Sequence, residues 1–443
     1  MQFFISYLLP LSALLLLPAH GHSGSQQHQV LDNAAIPPSR DPWYTAPSGF
    51  ESAAPGTILR IRPDPSNITT VVSAAAAYNI LFRTTDTRYR PSWAVTTLLL
   101  PKSSVGTKKN GTKASDGKVA LLSYQIPYNT ADVDASPSYL LSTVLAEKFI
   151  GNPPYTDSIA EALSRGWYVN VPDFEGPLAS FAAGPQEGYA VLDSVRAALS
   201  SDPFPSTLEN TRYAMWGYSG GSIASTFAAE LQASYAQELD FAGAAIGGLV
   251  PNVTTVFSDT ESVVASLIPA GLLGLTSQYP EAREFLLSLL KADGPYNVTG
   301  FLEALHLNVD EGLVHYAGQD LDEYFVDGLD AVFRAPELAR VLGNNGYQGY
   351  HGIPQMPVFA YKAIHDDGIA DSDEVISRYC GVGANILYHR NSIGGHAAEL
   401  VNGAPRALDF LAAALDGSFA DKYNTTGCTW VDVAVNVTAS ATA

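Results

Sequence analysis

One serine in this chain has the neighbours of a nucleophile. Gly217-Tyr218-Ser219-Gly220-Gly221 follows a short apolar run at 213–216 and leads into Ala-rich, helix-forming sequence at 222–238. Small residues on either side of a strand-to-helix turn let the two elements approach closely while the serine Oγ stays exposed on a strained bend. The backbone N–H of Gly220, at the start of the predicted helix, faces the place where a tetrahedral oxyanion forms. A serine hydroxyl is a weak nucleophile at neutral pH. It needs an imidazole to take its proton and a carboxylate to hold that imidazole in the right tautomer.

Candidates for both follow in the order serine, acid, histidine. The run Val358–Ala363 passes directly into Ile364-His365-Asp366-Asp367-Gly368. Asp366 is the chosen acid and Asp367 the alternative, since adjacent side chains point to different sides and only one can reach the histidine. The chosen base is His396, in Ile393-Gly394-Gly395-His396, where two glycines let the loop bend back towards Ser219. His389 competes, but it ends a strand and lacks such a loop. His306, His315 and His351 read as surface or cap residues. A second oxyanion donor is expected from a loop after an earlier strand, and Asp173 follows the run at 167–171. An ionised carboxylate would repel an oxyanion, so only its N–H or a protonated side chain could serve. The residues alone leave Asp173 between that role and an ordinary turn aspartate.

These side chains need a sheet edge to meet on. Val119–Gln125, 167–171, 213–216, 241–246, Val358–Ala363 and 385–388 are short apolar runs, with helical patterns at 158–164, 188–200, 222–238 and 373–379. Alternation of this kind predicts an α/β fold, a mostly parallel sheet with helices on both faces. Antiparallel strands are predicted upstream at 57–62, 77–83 and 93–100, followed by a solvated loop at 102–118. After His396 come helical stretches at 397–401 and 405–415, with a break at Gly403. The interval 251–349 is too long for a connection and carries helical patterns at 262–275, 281–290 and 320–342, so it reads as an inserted helical lid or cap. Within it, 263–275 is either a hinged flap facing lipid or a buried cap helix.

The expected organisation is a signal peptide at 1–21, an irregular arm at 22–56, core at 57–250, the lid at 251–349, core again at 350–430 and a tail at 431–443. The 443 residues are 47% hydrophobic, ample for a large core. Lys+Arg 24 against Asp+Glu 44 gives a net charge of −20, which argues against nucleic acid and against anionic bilayers held by charge. No stretch after the leader suits a stable membrane span. Sequons at Asn67, Asn110, Asn252, Asn297, Asn424 and Asn436 suit a secreted, extracellular glycoprotein. In that oxidising setting Cys380 and Cys428 are read as one disulfide, and no metal or organic cofactor is called for.

Taken in order, Pro172-Asp173-Phe174-Glu175-Gly176, Gly184-Pro185-Gln186-Glu187-Gly188, the Gly-Tyr-Ser-Gly-Gly elbow, Asp366 and His396 resemble the secreted fungal lipase family of the Candida antarctica lipase A type. The resemblance implies an α/β-hydrolase core, a helical lid and hydrolysis of triacylglycerols or other carboxylic esters. It implies Ser219 as nucleophile, Asp366 as acid, His396 as base, and Asp173 with the Gly220 N–H as oxyanion hole. The implied partner is an ester or lipid, including one met at a lipid–water interface; oligomeric state is left open. A non-lipolytic esterase or acyltransferase on soluble esters is the enzymatic alternative. A non-catalytic secreted binding protein on the same fold is the alternative of another class.

Overall fold

The computed structural model describes residues 35–66, 68–103, 117–141, 153–260, 262, 264–366, 368–369 and 371–437. The expected signal peptide, the first part of the arm, the interior of the 102–118 loop, the end of the tail, the sequons at Asn67 and Asn110 and the alternative acid Asp367 lie outside the described residues.

Ten strands form one sheet: β1 Ile58–Pro63, β2 Ala76–Thr85, β3 Pro91–Leu100, β4 Val119–Gln125, β5 Tyr168–Pro172, β6 Thr211–Tyr218, β7 Gly243–Gly247, β8 Val358–Ala363, β9 Ile386–Asn391 and β10 Cys428–Val433. Their order is β1-β2-β3-β5-β4-β6-β7-β8-β9-β10. Pairing is antiparallel from β1 to β5 and parallel from β5 to β10. This is the mostly parallel sheet of an α/β-hydrolase fold.

Successive side chains of a strand point to opposite faces, and both faces here are covered. Along β6, Tyr213 and Met215 enter one core while Ala214, Trp216 and Tyr218 enter the other. The helices α1 Pro153–Ser164, α2 Gly184–Ser200 and α3 Gly220–Tyr235 precede an inserted set: α4 Ile268–Thr276, α5 Pro280–Ser288, α6 Val309–His315 and α7 Pro336–Asn345. Two more complete the chain, α8 Ser372–Gly381 and α9 His396–Asp416. The first core takes α2, α3 and the insertion, through Phe227, Leu273, Leu286, Phe301 and Leu338; the second takes α1 and α9, through Ile159, Phe410 and Leu411. Among the described residues no helix is long and apolar enough to cross a membrane.

Three local outcomes refine the sequence reading. Every residue of α4 is buried, so from Ile268 onwards this stretch packs as a buried helix, with Gly271 and Gly274 set tightly against Phe257 and Phe181. The predicted break at Gly403 is absent, and α9 runs unbroken through Gly403 and Pro405. A Cβ at Gly403 would collide with the ring of Tyr361, so this glycine serves close helix-to-sheet packing. Finally, β10 extends the sheet across the expected core boundary at 430. Its residues are exposed or half-buried, as an edge strand's can be, so no apolar run announces it. Pairing with β9 and the Cys380–Cys428 disulfide to α8 hold it in the sheet.

Candidate active site

Ser219 sits between β6 and α3 with φ 53 and ψ −122, backbone angles that a residue with a side chain rarely takes. Its N–H is tied to the Gly247 carbonyl at 3.0 Å, and its carbonyl receives the Ser222 N–H at 2.8 Å, so the bend is held from both sides. Gly220 opens α3. Its N–H is a first-turn donor, which has no acceptor within the helix and is directed out of its end.

His396 reaches this bend from the opposite side. Its Nε2 is 2.8 Å from Ser219 Oγ, and its Nδ1 is 2.9 Å from Asp366 Oδ2. A carboxylate at Nδ1 requires the proton there, which leaves Nε2 as the acceptor facing the serine hydroxyl. Asp366 is fixed in turn, because its Oδ1 accepts the N–H groups of Gly368 and Ile369 at 3.1 and 3.0 Å. The Asp366 side chain is 2% exposed and that of His396 11%, so water reaches the imidazole and barely reaches the acid. Tyr218 braces the histidine: the two rings are 5.2 Å apart, and Tyr218 Oη donates to the His396 carbonyl at 2.6 Å. The arrangement can take a proton from Ser219, hold it on an imidazolium and return it to a leaving group.

Ser219 and His396 open into a cavity of about 580 Å3 with mostly apolar walls, including Ile126, Val264, Leu267, Val309 and Leu313. Val264, Leu267, Val309 and Leu313 come from the 251–349 segment, so it forms one wall of the site. A second cavity of about 570 Å3, between Tyr89, Tyr279 and Tyr350, includes none of these residues.

The cavity also contains a residue that the sequence reading does not single out. Asn129 is 7% exposed and has φ 40, and its Oδ1 has no hydrogen-bond partner. Its carboxamide lies directly against Gly220, where a Cβ would collide with Oδ1. A half-turn of that amide exchanges Oδ1 for Nδ2 in the same space and offers a donor beside Gly220. Asn129 lies in the loop after β4, the strand that pairs with β6. The signal for it in the sequence is an asparagine, a residue tolerant of left-handed backbone, just past an apolar strand.

Asp173 does not share this environment, which corrects the expectation for it. It follows β5, one strand further from the elbow, and lines a separate cavity with Tyr44, Trp93 and Ser136. Its N–H is committed to the Val95 carbonyl at 2.9 Å. Its two carboxyl oxygens accept the N–H and the hydroxyl of Ser138 at 2.8 and 2.5 Å. Burial pushes this carboxyl up to about 7 against the lowering effect of those two bonds. Neither donor considered for Asp173 is therefore free to meet an oxyanion.

His389 is likewise elsewhere. Its Nδ1 accepts from Arg406 at 3.2 Å, and burial together with that guanidinium lowers its pKa to about 4, so it is a neutral structural imidazole. His306 and His315 are exposed on the insertion, while His351 is half-buried against Phe227. Asn252 and Asn297 act as helix N-caps, and Asn424 and Asn436 are exposed.

Comparison with known proteins adds three findings. The family model described as secretory lipase matches residues 155–422. The chain is 44% identical over 420 residues to the trichothecene C-3 esterase of Fusarium sporotrichioides, covering 93% of this chain and 91% of that protein, and 35% identical over 405 residues to Lipase A of Arthroderma benhamiae, covering 89% and 83%. Among solved structures it is similar to the X-ray structure of Candida antarctica lipase A, with a TM-score of 0.77, 26% identity and 90% of each chain covered.

Proposed function

Because the chain belongs to the secretory lipase family and is a carboxylic ester hydrolase, we propose that Ser219, His396 and Asp366 carry its chemistry through an acyl-enzyme. The observation that supports this most directly is the unbroken line of contacts from Ser219 Oγ through His396 to Asp366. His396 Nε2 removes the hydroxyl proton as Oγ attacks the ester carbonyl carbon. Asp366 stabilises the imidazolium. The N–H of Gly220 and the carboxamide of Asn129 receive the oxyanion, replacing the pairing first expected with Asp173. His396 then gives its proton to the departing alkoxide, and the alcohol leaves. A water deprotonated by the same nitrogen attacks the acyl-enzyme, and collapse of the second tetrahedral intermediate releases the acid and restores Ser219.

Soluble apolar esters are the favoured substrates. The relative at 44% identity is named a trichothecene C-3 esterase, and the mostly apolar cavity beside Ser219 also carries polar groups at Asn129, Tyr155 and Asp310 that a compact oxygenated ester could meet. Triacylglycerol is the second reading, favoured by the relative named a lipase and by the contribution of Leu267 and Leu313 from the insertion, which would act as a lid. Secretion through the expected leader belongs to the same proposal, as does glycosylation at the exposed Asn424 and Asn436.

The test compares purified enzyme on a trichothecene ester, on p-nitrophenyl esters of increasing chain length and on emulsified triacylglycerol. A preference for the soluble esters with no gain at the emulsion supports the first reading; a rate that jumps when the substrate forms an interface supports the second. Failure of a fluorophosphonate to label Ser219 would falsify the nucleophile assignment that both share.

A further inference from the structure

With Asp173 outside the site, Pro172-Asp173-Phe174-Glu175-Gly176 and Gly184-Pro185-Gln186-Glu187-Gly188 are left without a part in the chemistry. Each motif carries a glutamate sealed from water: Glu175 and Glu187 are both 0% exposed. None of their four carboxyl oxygens has a hydrogen-bond partner of full geometry. An ionised carboxylate without a counter-charge in such a place is costly enough that the group keeps its proton. The acidic groups facing Glu175 make ionisation worse, since they are Glu187 and Asp173, and the phenol of Tyr128 beside them is itself held neutral, by burial first and then by Glu175. Burial first, and then the neighbouring Glu187, push Glu175 well above the ordinary carboxylate range; burial does the same to Glu187.

Glu175 leans on the loop that carries Asn129. Its carboxyl lies over the N–H groups of Asn129 and Thr130, and its own N–H donates to Tyr128 Oη at 2.5 Å. The ring of Phe174 packs on that of Tyr128 with centroids 4.9 Å apart. On the far side, the Glu187 carboxyl lies over the N–H of Ala182, whose φ of 67 is also left-handed. Two left-handed turns are thus each backed by a buried carboxyl group. One of those turns presses Asn129 onto Gly220.

We propose that Glu175 and Glu187 work as a buried, protonated carboxyl pair that clamps the 128–130 turn and so keeps Asn129 against Gly220. They are positioning residues, and the inference rests on Asn129 being an oxyanion donor. A neutral Glu175 can offer its carbonyl oxygen to the two N–H groups without the repulsion that a charge near Glu187 would bring. Because both acids are shifted upwards, their contribution is present while they hold protons and is lost as pH rises through the raised values. The loss should set an alkaline limit on turnover.

The experiment measures kcat and KM for a p-nitrophenyl ester across pH, with thermal midpoints, for wild type, Glu175→Leu, Glu175→Gln, Glu187→Gln, Asn129→Ala and Asn129→Ala/Glu175→Leu. Glu175→Leu should lower kcat about tenfold or more with KM changed less than about threefold. Glu175→Gln, which keeps an acceptor and a donor but cannot ionise, should recover most of that loss and, like Glu187→Gln, move the alkaline limb upwards by about one pH unit or more. The double variant should be no slower than Asn129→Ala, because both changes disable one device. The proposal is overturned by a Glu175→Leu enzyme that loses only thermal stability and keeps its kcat, by losses that multiply in the double variant, or by an alkaline limb unmoved in both glutamine variants. Wild-type kcat in Asn129→Ala would instead remove the oxyanion assignment, and this inference with it.

Discussion

His396 and Ser219 are 177 residues apart in the chain, yet Nε2 of one lies 2.8 Å from Oγ of the other. That is already hydrogen-bond distance, so proton transfer requires no prior rearrangement of the base. Holding both groups by their own backbone contacts, at the Ser219 bend and at the Tyr218 brace, gives the reaction its geometry before an ester arrives.

Removing either end of this line should be severe and should leave the fold intact. Ser219→Ala is expected to lower kcat about a millionfold, and Asp366→Asn about ten-thousandfold with little change in KM, since the imidazole loses the acceptor that fixes its tautomer. Steady-state kinetics on a p-nitrophenyl ester, with circular dichroism as the check on folding, measures both. An Asp366→Asn enzyme within tenfold of wild type would remove Asp366 from the mechanism.

Asn129→Ala takes away one of the two proposed oxyanion donors and should reduce kcat by about a hundred- to a thousandfold, with labelling of Ser219 by a fluorophosphonate slowed in parallel. Asp173→Asn should change kcat far less, because neither its amide nor its carboxyl faces Ser219. The reverse ranking would restore the pairing first expected.

Asp173 should act on stability instead. Burial raises its carboxyl from 3.8 in the unfolded chain to about 7 in the native one, so the native state favours the protonated form. The resulting stability is complete below the lower value, falls as pH rises through the window from about 4 to about 7, and stays low above it. Asp173→Asn cannot ionise, so its stability relative to wild type should increase between pH 4 and pH 8. Chemical denaturation at the two pH values tests this, and an unchanged difference would show that the carboxyl is not shifted.

The Cys380–Cys428 bond closes a loop with a sequence separation of 48 and pins β10 to α8. Replacing both cysteines by serine should cost about 2–4 kcal/mol of unfolding free energy. Because Asn391 at the end of β9 also binds Val435 beyond β10, through bonds of 2.9 and 3.0 Å, the loosened edge should expose the loop before His396 to protease earlier than the rest of the core. Equal thermal midpoints for the variant and wild type would show the bond to be dispensable.

Much of this site is written locally. Gly217 to Gly221 dictates a bend whatever surrounds it, the Val358–Ala363 strand delivers Asp366 at its end, and the Gly394-Gly395 pair lets His396 turn back. Periodicity of two and of 3.6 residues likewise identifies the strands and helices of the core, because each reports only which side of an element meets water. A glycine read by the same local rules misleads at Gly403. There the space is set by Tyr361, which is remote in sequence, and the helix continues.

The sequence by itself determined the bend at Ser219, the chain order of the proposed acid and base, and the alternation that makes a parallel sheet, since all are properties of residues close together in the chain. Only the tertiary structure decided which loop stands beside the elbow. Strand order is not a local property: β4 lies against β6 while β5 lies one strand further out, so Asn129 meets Gly220 and Asp173 turns to Ser138. The same packing seals Glu175 and Glu187 from water, and lines the site with residues of the 251–349 segment. Contacts between distant segments depend on how both faces of the sheet are buried at once, which no short stretch of sequence carries.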